Sequence, residues 1–114
     1  MGDLTPHFSF SEFVSKDGAP SPVPATRLLG ILEHLRGQHG QPIRIVSGYR
    51  SPAHNEAVGG ARDSRHIHGD AADLEPGWCT LDMAVEAGAT GVGLSGAWVT
   101  HVDGRPGDLV TWHY

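Results

Sequence analysis

Ser64-Arg65-His66-Ile67-His68-Gly69-Asp70-Ala71-Ala72-Asp73 is the stretch from which the rest of the chain is read. His66 and Asp73 stand seven residues apart, an odd spacing that sets two side chains on opposite faces of a continuous strand. Gly69 breaks that continuity. Lacking a Cβ, it tolerates a sharp reversal, so the two arms can bring an imidazole and a carboxylate to one point. Ala71 and Ala72 are small enough to let the backbones approach. His68 competes with His66 as a ligand but falls on the other side of an extended segment. A third ligand has to come from elsewhere, and His101 lies within a later strand-like run. Two imidazoles and one carboxylate leave a fourth zinc position to water, the arrangement of a catalytic rather than a structural site. Such a site polarises a carbonyl and lowers the pKa of bound water from ~15.7 towards ~7.

Working outward, Trp98-Val99-Thr100-His101-Val102-Asp103 and Gly91-Val92-Gly93-Leu94 read as two strands joined through Ser95-Gly96, and Ala71-Ala72-Asp73-Leu74 as a short buried strand. Thr80 caps a helix over about residues 81–87, closed by Gly88. Upstream, Ile43-Arg44-Ile45-Val46 alternates as a strand, and Ser51-Pro52 opens a short helix that ends near Gly59-Gly60. The best helix is expected over residues 24–38, with Pro24 in its first turn. Leu28, Leu29, Ile31, Leu32 and Leu35 form its apolar face, and Gly40 with Pro42 ends it. Ser9 and Glu12 have capping-box spacing, and Phe8, Phe10 and Phe13 are core anchors. A small, mostly antiparallel sheet flanked by helices is an α+β fold.

The 114 residues suit one domain, expected over 1–114 with residues 1–6 flexible. Gly at 16 and Pro at 8 point to short elements and many loops. No apolar run reaches the ~20 residues of a membrane span. A net charge of −5 with scattered Lys and Arg argues against nucleic acid. Cys79 stands alone, so an intrachain disulfide and a cysteine-rich zinc site are excluded, and any metal falls to the eight histidines and the carboxylates. His7, His34 and His39 read as surface residues.

The set Ser-x-His-x-x-Gly-x-Ala-x-Asp at 64–73 occurs in order with Ser47-Gly48-Tyr49-Arg50-Ser51-Pro52, Asn55, Gly59-Gly60-Ala61, Gly91-Val92-Gly93, His101-Val102-Asp103 and Trp112. In this it resembles the zinc D-Ala-D-Ala carboxypeptidases of the M15 peptidase group, relatives of the vancomycin-resistance dipeptidases, some phage endolysins and the Hedgehog signalling domain. The resemblance implies a Hedgehog/DD-peptidase-like fold and one Zn2+ ion on His66, Asp73 and His101. It also implies that Arg50 holds the substrate and stabilises an oxyanion, work that suits a permanently charged, fixed set of donors. Ser64 either donates to the substrate or caps its own turn.

Several branches of the group carry Glu three residues before the last histidine ligand, where this chain has Trp98. In the His-x-Asp branch the acid comes two residues after. Asp103 shares a strand face with His101, so it is expected either as the general base or as a partner orienting the imidazole, the base being favoured. His113 is a further candidate for stabilising the intermediate, or else a frayed terminal residue.

The expected activity is hydrolysis of peptidoglycan stem peptides by a monomer, as carboxypeptidase or endopeptidase, without nucleic acid or membrane insertion. The competing reading is a non-catalytic zinc-containing binding or structural domain of a phage tail or envelope protein. No signal peptide is legible, so a phage-released lysin or a domain of a longer exported chain is expected.

Overall fold

Gly40 ends the longest helix as expected, with φ of 74° and its N–H donating to the Arg36 carbonyl at 3.0 Å. The computed structural model, which describes residues 2–114, starts that helix later than Pro24, at Thr26 (α1, Thr26–His39). The reason is a tertiary bond. The Ala25 N–H donates to the Gly69 carbonyl at 3.0 Å, so the chain is tied to the Gly69 turn before it coils. Leu28, Leu29, Ile31, Leu32 and Leu35 are all buried along one face of α1.

Five strands form one sheet in the order β1-β2-β4-β3-β5: β1 (Ile45–Ser47), β2 (Ala71–Leu74), β3 (Gly91–Ser95), β4 (Trp98–Asp103) and β5 (Val110–His113). The first four pair antiparallel, in keeping with the mostly antiparallel sheet expected, although β1 begins at Ile45 rather than Ile43. The last strand was not expected, and it lies parallel to β3. Helix α2 (Pro52–Ala57) carries Ser51 as its cap, accepting from the His54 N–H at 3.1 Å. Thr80 does the same for Met83 at the head of α3 (Leu81–Glu86) at 3.2 Å. Ser9 and Glu12 bracket a single 3-10 turn, Phe10–Glu12, with Glu12 accepting from the Ser9 N–H at 2.7 Å.

One face of the sheet is core. Ile45, Ala72, Leu74, Val92, Leu94, Val99 and Val102 join the α1 residues, Phe8, Phe13 and Ala84 in a single cluster. Val99 and Val102 cannot share a face of a regular strand, because faces alternate every residue. They do so here because Gly93 pairs with His101 while Leu94 pairs with Val99, leaving Thr100 as an extra residue. This bulge turns both Thr100 and His101 away from the core. At the N-terminus, Gly2–Thr5 are tied rather than loose: Leu4 N–H donates to the Phe8 carbonyl at 3.1 Å, and Thr5 bridges to Phe8. Met1 lies outside the described residues.

A knot of hydroxyls joins the loop before α1 to the head of α2. Asp17 accepts from Ser51 Oγ at 2.5 Å and from Ser15 Oγ at 2.7 Å, while Ser15 Oγ accepts from the Ser51 N–H at 3.1 Å. The Ser51 hydroxyl first, then Ser15 and the Ala19 N–H, lower the Asp17 pKa from 3.8 to about 2. A carboxyl lowered on folding stabilises the folded state above its unfolded pKa and loses that effect as pH falls through the folded one. Asp17→Ala should therefore unfold more easily than wild type above pH 4. Urea titrations at falling pH should show the difference between the two shrinking to nothing near pH 2.

Candidate metal centre and its cleft

Asp73 and His101 are direct partners in the register between β2 and β4. His66 arrives from the turn-rich segment before β2, where Gly69 has φ of 75°. A bond from the Arg50 N–H to the His66 carbonyl at 3.1 Å holds that segment against the end of β1. His66 Nε2 and His101 Nδ1 each approach Asp73 Oδ1 at 3.2 Å. The three ligand atoms lie within 4.8 Å of one another, and both histidines are buried.

The outer nitrogens decide what the inner ones can do. His66 Nδ1 meets the Gly48 carbonyl at 2.7 Å, and His101 Nε2 meets Asp103 Oδ2 at 2.8 Å. Both of those partners only accept, so in each ring the outer nitrogen carries the proton and a neutral ring points its lone pair inward. Two lone pairs and a carboxylate oxygen then converge, an arrangement that repels itself unless a proton or a cation lies between them. The donor set fits a cation of the zinc class.

Charge is arranged to suit. Burial would raise the Asp73 carboxyl, but its close contacts with His101 and His66 outweigh that and hold the group well below the usual range. Burial likewise raises Asp103 less than His101 and Arg105 lower it. For His101, burial pulls the pKa down, and the carboxylates of Asp103 and Asp73 more than restore it, raising it overall.

The expected site residues are distributed as follows. Arg50 lies beside the centre rather than on the open surface, with Nη2 on Asp73 Oδ2 at 3.0 Å and Nη1 on Asn55 Oδ1 at 3.3 Å. Asn55 is itself buried and donates to the Ala61 carbonyl at 2.7 Å. Ser64 lines the cleft, and its Oγ accepts from the His66 N–H at 3.2 Å, which is the turn-capping role. His68 points outward to Asp63 at 2.9 Å. His113 is exposed on β5 and is not among the residues lining the cleft.

Asp103 differs from the favoured expectation. Its carboxylate is fully buried behind His101, taken up by that ring and by a two-pronged contact from Arg105, Nε to Oδ1 at 2.9 Å and Nη2 to Oδ2 at 2.7 Å. It does not line the cleft. Sharing a strand face with His101 proved true, but the imidazole stands between the carboxylate and the centre. Gly91 makes room for it, since a Cβ there would fall 2.2 Å from the Asp103 oxygens.

The cleft encloses about 690 Å³, and its remaining walls include Arg65, Arg105, Trp112 and Tyr114. The Trp112 ring packs 4.9 Å from that of His101 and lies under the Arg105 guanidinium at 5.0 Å. Arg65 and Arg105 as cleft residues were missed. The position of Arg105 two residues beyond Asp103 was the available signal, and only the chain reversal after β4 gives it meaning.

An α+β domain whose cleft presents a His–Asp–His group placed to hold a metal describes the class. More narrowly, residues 6–103 match the family model described as Peptidase M15, and the chain belongs to that family. Over 59 residues the chain is 42% identical to the zinc D-Ala-D-Ala carboxypeptidase of Streptomyces albus G. That match covers 49% of this chain and 22% of the relative, so the chain spans well under half of that protein's length.

Gly91→Ala should push the Asp103 carboxylate off His101, and Asp103→Ala removes it. Each should weaken zinc binding by roughly 10–100-fold in chelator competition. Wild-type affinity in both variants would mean that the ring is not oriented from behind.

Proposed function

We propose that the protein is a zinc-dependent peptidase acting on peptidoglycan stem peptides at the cell wall. The observation that carries this is the convergence of His66 Nε2, Asp73 Oδ1 and His101 Nδ1 at the floor of an open cleft, with a guanidinium beside them. When bound, zinc supplies a Lewis acid for the scissile carbonyl and an acidified water. The chain's own residues do the rest. His66, Asp73 and His101 present three fixed donors. Arg50, pinned by Asn55 and Asp73, presents a fixed guanidinium that stabilises negative charge growing on the carbonyl oxygen. Asp103 acts through His101, fixing which nitrogen faces inward. Ser64 shapes the turn that carries His66, and the Trp112 and Tyr114 rings wall the cleft. The substrate class rests on the name of the Streptomyces relative and on membership of the M15 family. Both removal of a terminal D-Ala and cleavage within the stem use the same centre.

One observation favours a second reading, a zinc-containing binding domain without turnover. Among the described residues, Asp63 and Asp73 are the only carboxylates lining the cleft. Asp73 belongs to the metal, and Asp63 is engaged by His68 at the outer surface. Among the described residues, no carboxylate side chain of the cleft is therefore left uncommitted to serve as a base.

Mass spectrometry of muropeptides after digestion separates the two. Zinc-loaded wild type should release new termini, and Asp73→Ala should release none above background. Intact muropeptides after incubation with fully zinc-loaded wild type would leave only the binding reading.

A further inference from the structure

Three arginines line the cleft, and two of them, Arg65 and Arg105, make no hydrogen bond to His66, Asp73 or His101. Each is gripped along one edge by a carboxylate that lies behind it. Arg65 Nε donates to Asp70 Oδ1 at 3.0 Å, with Nη2 on Asp70 Oδ2, and Arg105 makes the matching fork on Asp103. The forks are neighbours. Asp70 immediately precedes Ala71, Ala71 pairs with Asp103, and the Gly104 N–H donates to the Asp70 carbonyl at 3.0 Å. Neither Asp70 nor Asp103 lines the cleft, whereas both guanidiniums do.

A guanidinium has five N–H donors, and a bidentate carboxylate takes two of them, one on Nε and one on Nη2. Among the described residues, Nη1 of Arg65 and Nη1 of Arg105 have no hydrogen-bond partner. Arg105 is further held by the Trp112 face beneath it. Two cations with free donors, already immobilised, are preorganised for an anion, because the ordering cost of their side chains is met by the fold. The pocket acid nearest in sequence, Asp63, is turned to His68 at 2.9 Å.

We propose that Arg65 and Arg105 form a carboxylate-binding subsite of the cleft, which anchors a carboxylate of the peptide substrate while the bond to be cut lies over the metal centre. This rests on the peptidase reading above and deepens it. Stem peptides offer that group from two sources, the chain-terminal carboxylate and the free carboxylate of an acidic residue within the stem. Anchoring of the first is the recognition that removal of a terminal residue calls for, whereas anchoring of the second leaves the chain terminus free of the subsite.

The test uses the zinc-loaded full chain and two peptide pairs. One pair ends in D-Ala-D-Ala as free acid or as amide; the other carries an internal acidic residue free or amidated, with the terminus amidated in both. Both kcat/KM and equilibrium binding by calorimetry are measured for wild type, Arg65→Gln and Arg65→Lys. Wild type should favour one free acid over its amide by roughly 10–100-fold, the worth of charged hydrogen bonds. That ratio should fall towards one in Arg65→Gln. Arg65→Lys, whose single ammonium remains committed to Asp70, keeps the structural pair and should lose the preference as well. The pair whose ratio collapses identifies the source of the carboxylate. Unchanged ratios for both pairs in Arg65→Lys, with zinc content and thermal melting as in wild type, would overturn the subsite. Binding reports independently of turnover. A protein that discriminates acid from amide but cleaves neither would retain the subsite and lose the peptidase reading.

Discussion

Asp73 faces His101 across the β2–β4 ladder and carries on its two oxygens everything that gathers at the centre of the cleft. Oδ1 meets both imidazoles, while Oδ2 meets the Arg50 guanidinium. A single carboxylate thus sets the spacing of the two nitrogen donors and the position of the Arg50 guanidinium beside them. The ladder makes this reproducible, because backbone hydrogen bonds leave the two Cα positions little freedom. The rest of the site is built to keep that carboxylate ionised and the rings around it turned the right way.

Support comes from buried polar groups for which glycines make room. Asp103 occupies space that a side chain at Gly91 would fill, and Asn55 occupies space beside Gly60, where a Cβ would fall 2.0 Å from its Oδ1. Asn55 fixes Arg50, and Asp103 fixes His101. Both supports are tied in turn, Asn55 through α2 to the Ser15–Asp17–Ser51 knot, and Asp103 through Arg105 to Trp112. Buried polar groups are costly unless satisfied, and satisfied networks hold their members in one geometry. A cleft with three arginines beside a cation site is tolerable on the same ground, since each guanidinium rests on its own aspartate.

Much of this was legible in the sequence wherever the governing chemistry is local. Ser51 and Thr80 as caps, Gly40, Gly69 and Gly88 as left-handed stops, and the pairing of His66 with Asp73 across a reversal depend on residues within one or two turns of each other. The grouping of His101 with them followed from motif and resemblance. The start of α1 was misplaced because its true determinant, the Gly69 carbonyl, lies far along the chain. The parallel β5 was overlooked because Val110–His113 is short and borrows its partner from β3.

Local sequence settles which residues can bind a metal, which turns bring two of them together, and which helices form, because short-range sterics and hydrogen bonding act whatever the rest of the chain does. The direction in which each group faces comes from long-range packing and strand pairing. The Thr100 bulge sends His101 to the cleft and both flanking valines to the core, and it comes from register between strands rather than from any residue's preference. Asp103 ended behind its histidine and Arg65 beside Arg105 because strand pairing and packing set those positions. Contacts between residues distant in sequence are chosen by the energy of the whole core and sheet.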